Sequence, residues 1–363
     1  MPLLTHAWNW YSRFERPISS LSLIAGFIFD AFTLRRVDFL FENIWIVGRL
    51  AAVAVCIILI NLNENEARYE NNPSKAHFWY VNILQFFFGG LLGTFLVFYF
   101  RSSTLAVTWP FLLLLAAALF ANERLKQHYT RLVFQTSLFF LSLFAFAIFI
   151  VPVLFHRIGA DIFLISGLAS IAILWLFIRG LGFFARERFK KSRDALTLSV
   201  SGIFLAVNAL YFLNLIPPIP LSLKDGGVYH SVVRNAAGNY VVQREIAWWP
   251  DFLSLKQNVH MTEGGPLYAY SAIFSPTFFN IDIVHDWQKY DGPAKQWVTE
   301  SRVALRVTGG RDGGYRTYSI KRTITAGAWR VNVETAAGQI IGRLRFEVTL
   351  ADTEPVLETD IKK

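Results

Sequence analysis

Hydrophobic residues follow two different patterns on either side of Pro217. Before it they run in helix-length blocks with few charges; after it they alternate with polar residues in short stretches separated by Gly, Asn, Asp and Pro. A block of about 20 apolar residues crosses a hydrocarbon core as a helix, whereas alternation with period two marks a half-buried strand. The first pattern predicts seven spans, at Ile18–Leu34, Phe41–Asn61, Trp79–Phe100, Thr104–Ala121, Leu132–Leu154, Ile162–Ile178 and Leu196–Ile216.

The second pattern predicts strands at Val228–Arg234, Tyr240–Glu245, Leu267–Phe274, Ile281–Trp287, Arg302–Thr308, Tyr315–Thr323, Ala328–Glu334 and Ile340–Leu350. Seven or eight short strands at this spacing predict an immunoglobulin-like β-sandwich. The expected fold class is a multi-domain membrane protein, an α-helical transmembrane bundle followed by an all-β domain. Its parts are a transmembrane helical domain over 1–217, an extracytoplasmic β-sandwich over 218–350 and a C-terminal tail over 351–363. In the last hairpin, Trp329, Val331 and Val333 are expected on one face with Ile340, Leu344, Phe346 and Val348. Arg330, Arg343, Arg345 and Glu347 take the other.

Composition agrees with the first pattern: 54% of residues are hydrophobic and 34 are Phe, with a mean hydropathy of +0.38, above the ordinary soluble range. The start, MPLLTHAWNWYSRFERP, lacks the features of a cleavable signal peptide, so the first span is expected to act as its own insertion signal. The single cysteine, Cys56, lies in a predicted span, which leaves no intrachain disulfide and no cysteine metal cluster.

A net charge of +9 and a pI of about 9.6 raise the question of nucleic acid. Residues 1–216 hold 18 Lys/Arg against 11 Asp/Glu, and residues 217–363 hold 17 against 15. The excess therefore belongs to the membrane half, as topology requires, and no nucleic-acid partner is expected. Alternate loops carry 13 and four basic residues, which places the N-terminus in the cytoplasm. With an odd number of spans the β domain then lies outside the cytoplasm.

Seven spans suggest a comparison with retinal proteins, but Leu196–Ile216 has no lysine for a Schiff base. A transporter would show internal repeats with broken helices at matching positions. Pro110 and the Gly89, Gly90, Gly93 group are isolated, and the glycines suit close helix packing. Asp30 and Arg49 fall within predicted spans one and two, near the same leaflet, and form a candidate intramembrane pair. Asn82, Gln85 and Asn208 are expected to hydrogen-bond between helices. Trp8, Trp10, Tyr11 and Phe14 with Arg13 and Arg16 suit a segment lying on the inner leaflet.

Residues 302–348, RVALRVTGGRDGGYRTYSIKRTITAGAWRVNVETAAGQIIGRLRFEV, resemble the C-terminal β domain known as domain of unknown function, family 2914. The likeness extends over at least 296–350 and rests on the Gly-Tyr-Arg, Trp-Arg-Val and Gly-Gln-Ile-Ile-Gly-Arg elements. IFSPTFFNIDIVHDWQKYD upstream is similar to the start of that domain, and GFIFDAFTLRRVDFLFENIWI to the membrane segment that precedes it in bacterial proteins. The resemblance implies a bacterial envelope protein and supplies no catalytic residues.

Candidate chemistry in the β half is sparse. His285 and Asp286 are consecutive on a predicted strand and point to opposite faces, so they do not serve one site, while Trp287 accompanies His285. His285 and Trp287 read either as side chains packed near a rim or as candidate ligand contacts, a sugar-stacking indole with a polar imidazole. Arg330, Arg343 and Arg345, with Arg302 and Arg306, form either a solvated sheet face, interrupted by Glu334 and Glu347, or a basic face suited to anionic lipid headgroups or an acidic envelope polymer. His230 and His260 lack metal-ligand spacing, and neither a metal nor a cofactor is expected. Gly309–Gly314 reads as a hairpin turn rather than a phosphate loop, and no G-x-S-x-G elbow is present.

The sequence thus points to a multi-pass protein of the bacterial inner membrane whose β-sandwich serves as a binding or scaffold module. Its expected partners are the bilayer and an envelope protein, glycan or anionic lipid. The alternative is a transporter or membrane-embedded lipid-modifying enzyme with an accessory β domain.

Overall fold

The computed structural model describes residue 28 and residues 39–70, 75–102, 105–124, 131–184, 186–218, 220–246, 256–277, 279–311 and 313–362. The chain divides into two compact units, a helical one of residues 1–101 and 109–215 and a β-rich one of residues 216–363 together with 102–108. The predicted span Ile18–Leu34, except Ile28, lies outside the described residues, as do Asp30 and the aromatic N-terminal segment.

Six helices are described: α1 (Leu40–Glu70), α2 (Lys75–Ser102), α3 (Leu105–Arg124), α4 (Leu132–Phe155), α5 (Ala160–Phe184) and α6 (Arg186–Phe212). Five of them are long and apolar enough to cross a membrane, and the apolar part of α3, Trp109–Asn122, is shorter. α4 packs against α1, α5 and α6 and buries 16 of its 24 residues, so its apolar surface extends all round. α6 buries Leu196, Val207 and Tyr211 and exposes Leu198, Leu205 and Phe212, as a helix facing lipid does. Arg186–Arg193, expected as a loop, forms the first two turns of α6; Arg and Lys are good helix formers and no Gly or Pro interrupts the run.

A helix in hydrocarbon must satisfy its polar groups internally or on a neighbour. Ser142, Ser166 and Ser170 donate to carbonyls four residues back, at 2.9, 2.8 and 2.7 Å. Asn208 does likewise, to Phe204 O at 2.8 Å, so its amide serves its own helix rather than a neighbour. Arg49 Nη1 donates to Gly90 O at 3.0 Å and Thr94 Oγ1 at 2.8 Å, which ties α1 to α2. A Cβ on Gly90 would lie 3.1 Å from that nitrogen, so this glycine makes room for a guanidinium.

The β unit has eleven described strands: β1 (Ser222–Tyr229), β2 (Ser231–Arg234), β3 (Tyr240–Glu245), β4 (Gln257–Met261), β5 (Leu267–Phe274), β6 (Asn280–Asp291), β7 (Gln296–Thr308), β8 (Tyr315–Lys321), β9 (Gly327–Thr335), β10 (Ile340–Leu350) and β11 (Leu357–Lys362). They form sheets ordered β1-β5-β8, β4-β10-β9-β6-β7 and β11-β3-β2. Val228, Leu267 and Ala269 of the first share one core with Val259, Trp287, Trp329, Val331, Leu344, Phe346 and Val348 of the second. A tyrosine cluster, Tyr229, Tyr240, Tyr268, Tyr270 and Tyr318, joins Val232 and Val242 of the third sheet to the first.

Several expectations change. The strand expected over Val228–Arg234 is two, separated at His230. Residues 357–362, expected as tail, pair antiparallel with β3 and add the ion pair Arg244–Glu358 at 2.7 Å. β4, too polar to stand out, runs parallel to β10. Gly309–Gly314 is not a hairpin, because β7 pairs with β6 and β8 with β5; the segment carries the chain between sheets. There Gly310 and Gly314 have φ of +96° and +85°, and a Cβ on Gly309 would lie 1.8 Å from Pro276 O. A bulge between Ile340 and Gly342 pairs Ile340 with Glu334, which places Ile340 on the face opposite Leu344.

Candidate functional site

β6 divides the candidate residues between two faces. His285 and Trp287 point into the core and are both 0% exposed, so neither is a surface contact. Trp287 packs edge-on against Phe346, with ring centroids 6.1 Å apart. His285 is held by Ser271 Oγ at Nε2 (2.8 Å) and Ser319 Oγ at Nδ1 (2.9 Å). Burial lowers its pKa to about 4, which keeps the imidazole neutral. The pairing of an inward Trp and His follows from two-residue periodicity; their complete burial follows from the sheet above them.

The other face of the five-stranded sheet collects the arginines. Strand register sets Arg302, Asp286, Asn332 and Arg343 in one row across β7, β6, β9 and β10, and Thr299, Gln288, Arg330 and Arg345 in the next. Arg343 Nε donates to Asn332 Oδ1 and Arg330 Nε to Gln288 Oε1, each at 2.7 Å. Arg302 Nη2 donates to Glu334 Oε1 at 2.6 Å. Arg306 stands opposite Asp282, further along β7.

Arg302, Arg330, Arg343 and Arg345 lie near the carboxylates of Asp286 and Glu334 on this face, while Glu347, next along β10, is paired with Lys256 and Asp282 stands opposite Arg306. Among the described residues Arg330, Arg343 and Arg345 form no ion pair, and the Nη groups of Arg330 meet no acceptor. Burial, then the charges of Arg343 and Arg345, lowers the pKa of Arg330 to about 10, against the opposing pull of Asp286. Burial and Arg345 lower that of Arg343, with Glu334 opposing. Glu334 is pushed up by burial and by Asp286, while Arg302 and Arg343 pull it down. Half-buried guanidiniums crowded by like charge gain from an added anion, and their forked N–H donors fit phosphate or carboxylate in two-point contact.

At one end of the face the guanidinium of Arg330 lies 4.4 Å from the ring centre of Trp297, and Tyr290 leans on that indole at 5.3 Å and 59°. Tyr290 and Trp297 face each other across β6 and β7. Sequence reasoning missed both; QKYD and KQWV, either side of a Gly-Pro turn, were the available signal.

Two further groupings were not anticipated. Both oxygens of Glu245 are engaged by histidines, His230 Nε2 at 3.0 Å and His260 Nδ1 at 2.7 Å, which links β3 to β4. Among the described residues no His, Cys, Asp and Glu grouping could hold a metal ion. In the helical unit, buried Asn61 donates to Gln135 Oε1 at 2.9 Å and accepts from Arg188 Nη1 at 3.1 Å, joining α1, α4 and α6. Amides in apolar runs were the signal. Of the candidate pair Asp30 and Arg49, only Arg49 lies among the described residues.

No curated protein matches the chain. A β-glucosidase from Listeria innocua, in complex with gluconolactone, is similar at 12% identity over 30% of this chain and 16% of that one, with a TM-score of 0.19. Alkylpurine DNA glycosylase AlkC of Pseudomonas fluorescens, bound to DNA, is similar at 9% identity over 86% and 99% of the two chains, with a TM-score of 0.23. Scores this low carry no argument about fold or activity. Residues 280–348, which span β6 to β10 and hold the arginine face, match the family described as "Protein of unknown function (DUF2914)", so the C-terminal region carries a DUF2914 domain.

Proposed function

We propose that this is a multi-pass protein of the bacterial inner membrane, with seven spans, that holds an immunoglobulin-like β-sandwich outside the cytoplasm as a binding module for an anionic envelope component. The membrane part rests on the five long apolar helices, and the orientation on the basic residues of alternate loops. The binding role rests on a single observation: Arg330, Arg343 and Arg345 crowd one sheet face with no ion-pair partner among the described residues, which makes the face complementary to an anion.

The test is equilibrium binding of labelled polyphosphate, as a generic polyanion, to the full-length protein in nanodiscs of neutral lipid. The paired substitution Arg343→Gln and Arg345→Gln is expected to weaken binding at least tenfold and to flatten its salt dependence. Unchanged binding would remove the face from consideration. A transporter or lipid-modifying enzyme has less support, since Arg49 Nη1 is taken up by Gly90 and Thr94 in a contact that fixes α1 on α2.

A further inference from the structure

We infer that the arginine face takes an anionic glycan, with sugar rings on Tyr290 and Trp297 and phosphate or carboxylate groups on Arg330 and Arg345. This rests on the anion-binding reading above and names the ligand class. A bare polyanion needs cations alone, and nothing in such a site calls for aromatic rings. Here the cations adjoin an aromatic step: Tyr290, 38% exposed, leans on Trp297, and Trp297 carries Arg330 on its face at 4.4 Å.

A pyranose ring has an apolar C–H face, which suits the negative face of an aromatic ring, and a hydroxyl edge, which suits polar neighbours. Gln288 and Thr299 stand beside the step on the same face as a polar border, held in place by hydrogen bonds to each other, to Asp286 and to Arg330. Arg330 is available to a substituent on the sugar, since Gln288 holds its Nε and, among the described residues, its Nη groups meet no acceptor. Arg345, exposed and cross-strand from Arg330, supplies a second cation for the next charged unit of a polymer. Trp287, for which the sequence leaves packing and sugar stacking both open, is in the core; the stacking surface belongs to the β6–β7 end.

The experiment measures binding of four probes to the full-length protein in neutral nanodiscs: polygalacturonate (carboxylated glycan), phosphomannan (phosphorylated glycan), dextran (uncharged glycan) and polyphosphate (anion without sugar). Charged glycans are expected to bind more tightly than polyphosphate or dextran, and the tighter of the two names the anionic group. Tyr290→Ala, at an exposed position, is expected to weaken charged-glycan binding about tenfold, the weight of one stacking contact, and to leave polyphosphate binding unchanged. Arg345→Gln is expected to weaken both. If Tyr290→Ala and Trp297→Ala bind the glycans as wild type while Arg345→Gln loses polyphosphate, the glycan inference falls and the anion reading stands. If the arginine variants change nothing, the anion reading itself falls.

Discussion

Trp287 Nε1 donates to Ser319 Oγ across 2.9 Å, and the same hydroxyl lies 2.9 Å from Nδ1 of His285. One serine on β8 thus satisfies two buried side chains of β6, in the neighbouring sheet. A neutral imidazole offers one donor and one acceptor, and Ser271 and Ser319 can each take either role. Ser319→Ala leaves the indole N–H and an imidazole nitrogen without partners in a dry core. The expected cost is about 2–3 kcal/mol, seen as faster hydrogen exchange of β6 and β8 in the full-length protein.

His285 makes the β unit sensitive to acid. Its folded pKa, about 4, lies below the unfolded value near 6.5, so below 6.5 the unfolded chain takes up a proton that the folded one refuses. Stability is full above pH 6.5 and falls as pH drops toward 4, by about 3 kcal/mol at most. His285→Gln removes this component. Hydrogen exchange of β6, corrected for intrinsic rates, should lose protection over that range in the wild type and less in the variant.

Arg302 and Glu334 form an unequal pair, with side chains 52% and 8% exposed. Removing the exposed member strands a buried carboxylate, whereas Glu334→Gln removes the charge whose burial already pushes its pKa up. Arg302→Ala is therefore expected to cost about 1–2 kcal/mol and Glu334→Gln less than half as much. Thermal unfolding followed by circular dichroism gives the order; a larger loss for Glu334→Gln would contradict it.

Gly309 has no space for a side chain, since a Cβ would fall 1.8 Å from the backbone oxygen of Pro276. Gly309→Ala is expected to destabilise the β unit by more than about 2 kcal/mol, because backbone rather than a flexible side chain must move. Gly313→Ala, whose Cβ would meet nothing nearer than Arg316 Nη2 at 4.0 Å, is the control and should unfold near the wild-type temperature.

Much of the architecture was legible residue by residue. The apolar block Leu132–Leu154 became α4 with nearly the same ends, and the alternating runs Tyr240–Glu245, Leu267–Phe274 and Ile340–Leu350 became β3, β5 and β10 with the same ends. β4 and β11 were not legible, because QNVHM and LETDIK alternate over only two apolar residues each, Val259 with Met261 and Leu357 with Ile361, too few to stand out without the ladders they join. The arginines of the candidate site could be placed on one face by counting in twos along β9 and β10. Tyr290 and Trp297 could not be brought to Arg330 in that way, since their meeting depends on the β6–β7 and β6–β9 registers together.

The division at Pro217, the apolar helices, the basic asymmetry of the loops and the alternation of the strands were determined by the sequence alone, because each reflects residues within one or two turns or a few positions along a strand. The tertiary structure alone decided that His285 and Trp287 lie in the core, that Asn61 meets Gln135 and Arg188, and that three arginines share a face with an aromatic pair. Those outcomes depend on which strands and helices become neighbours. That choice is made by packing between segments far apart in the chain, where hydrophobic burial is non-directional and no local spacing records the partner.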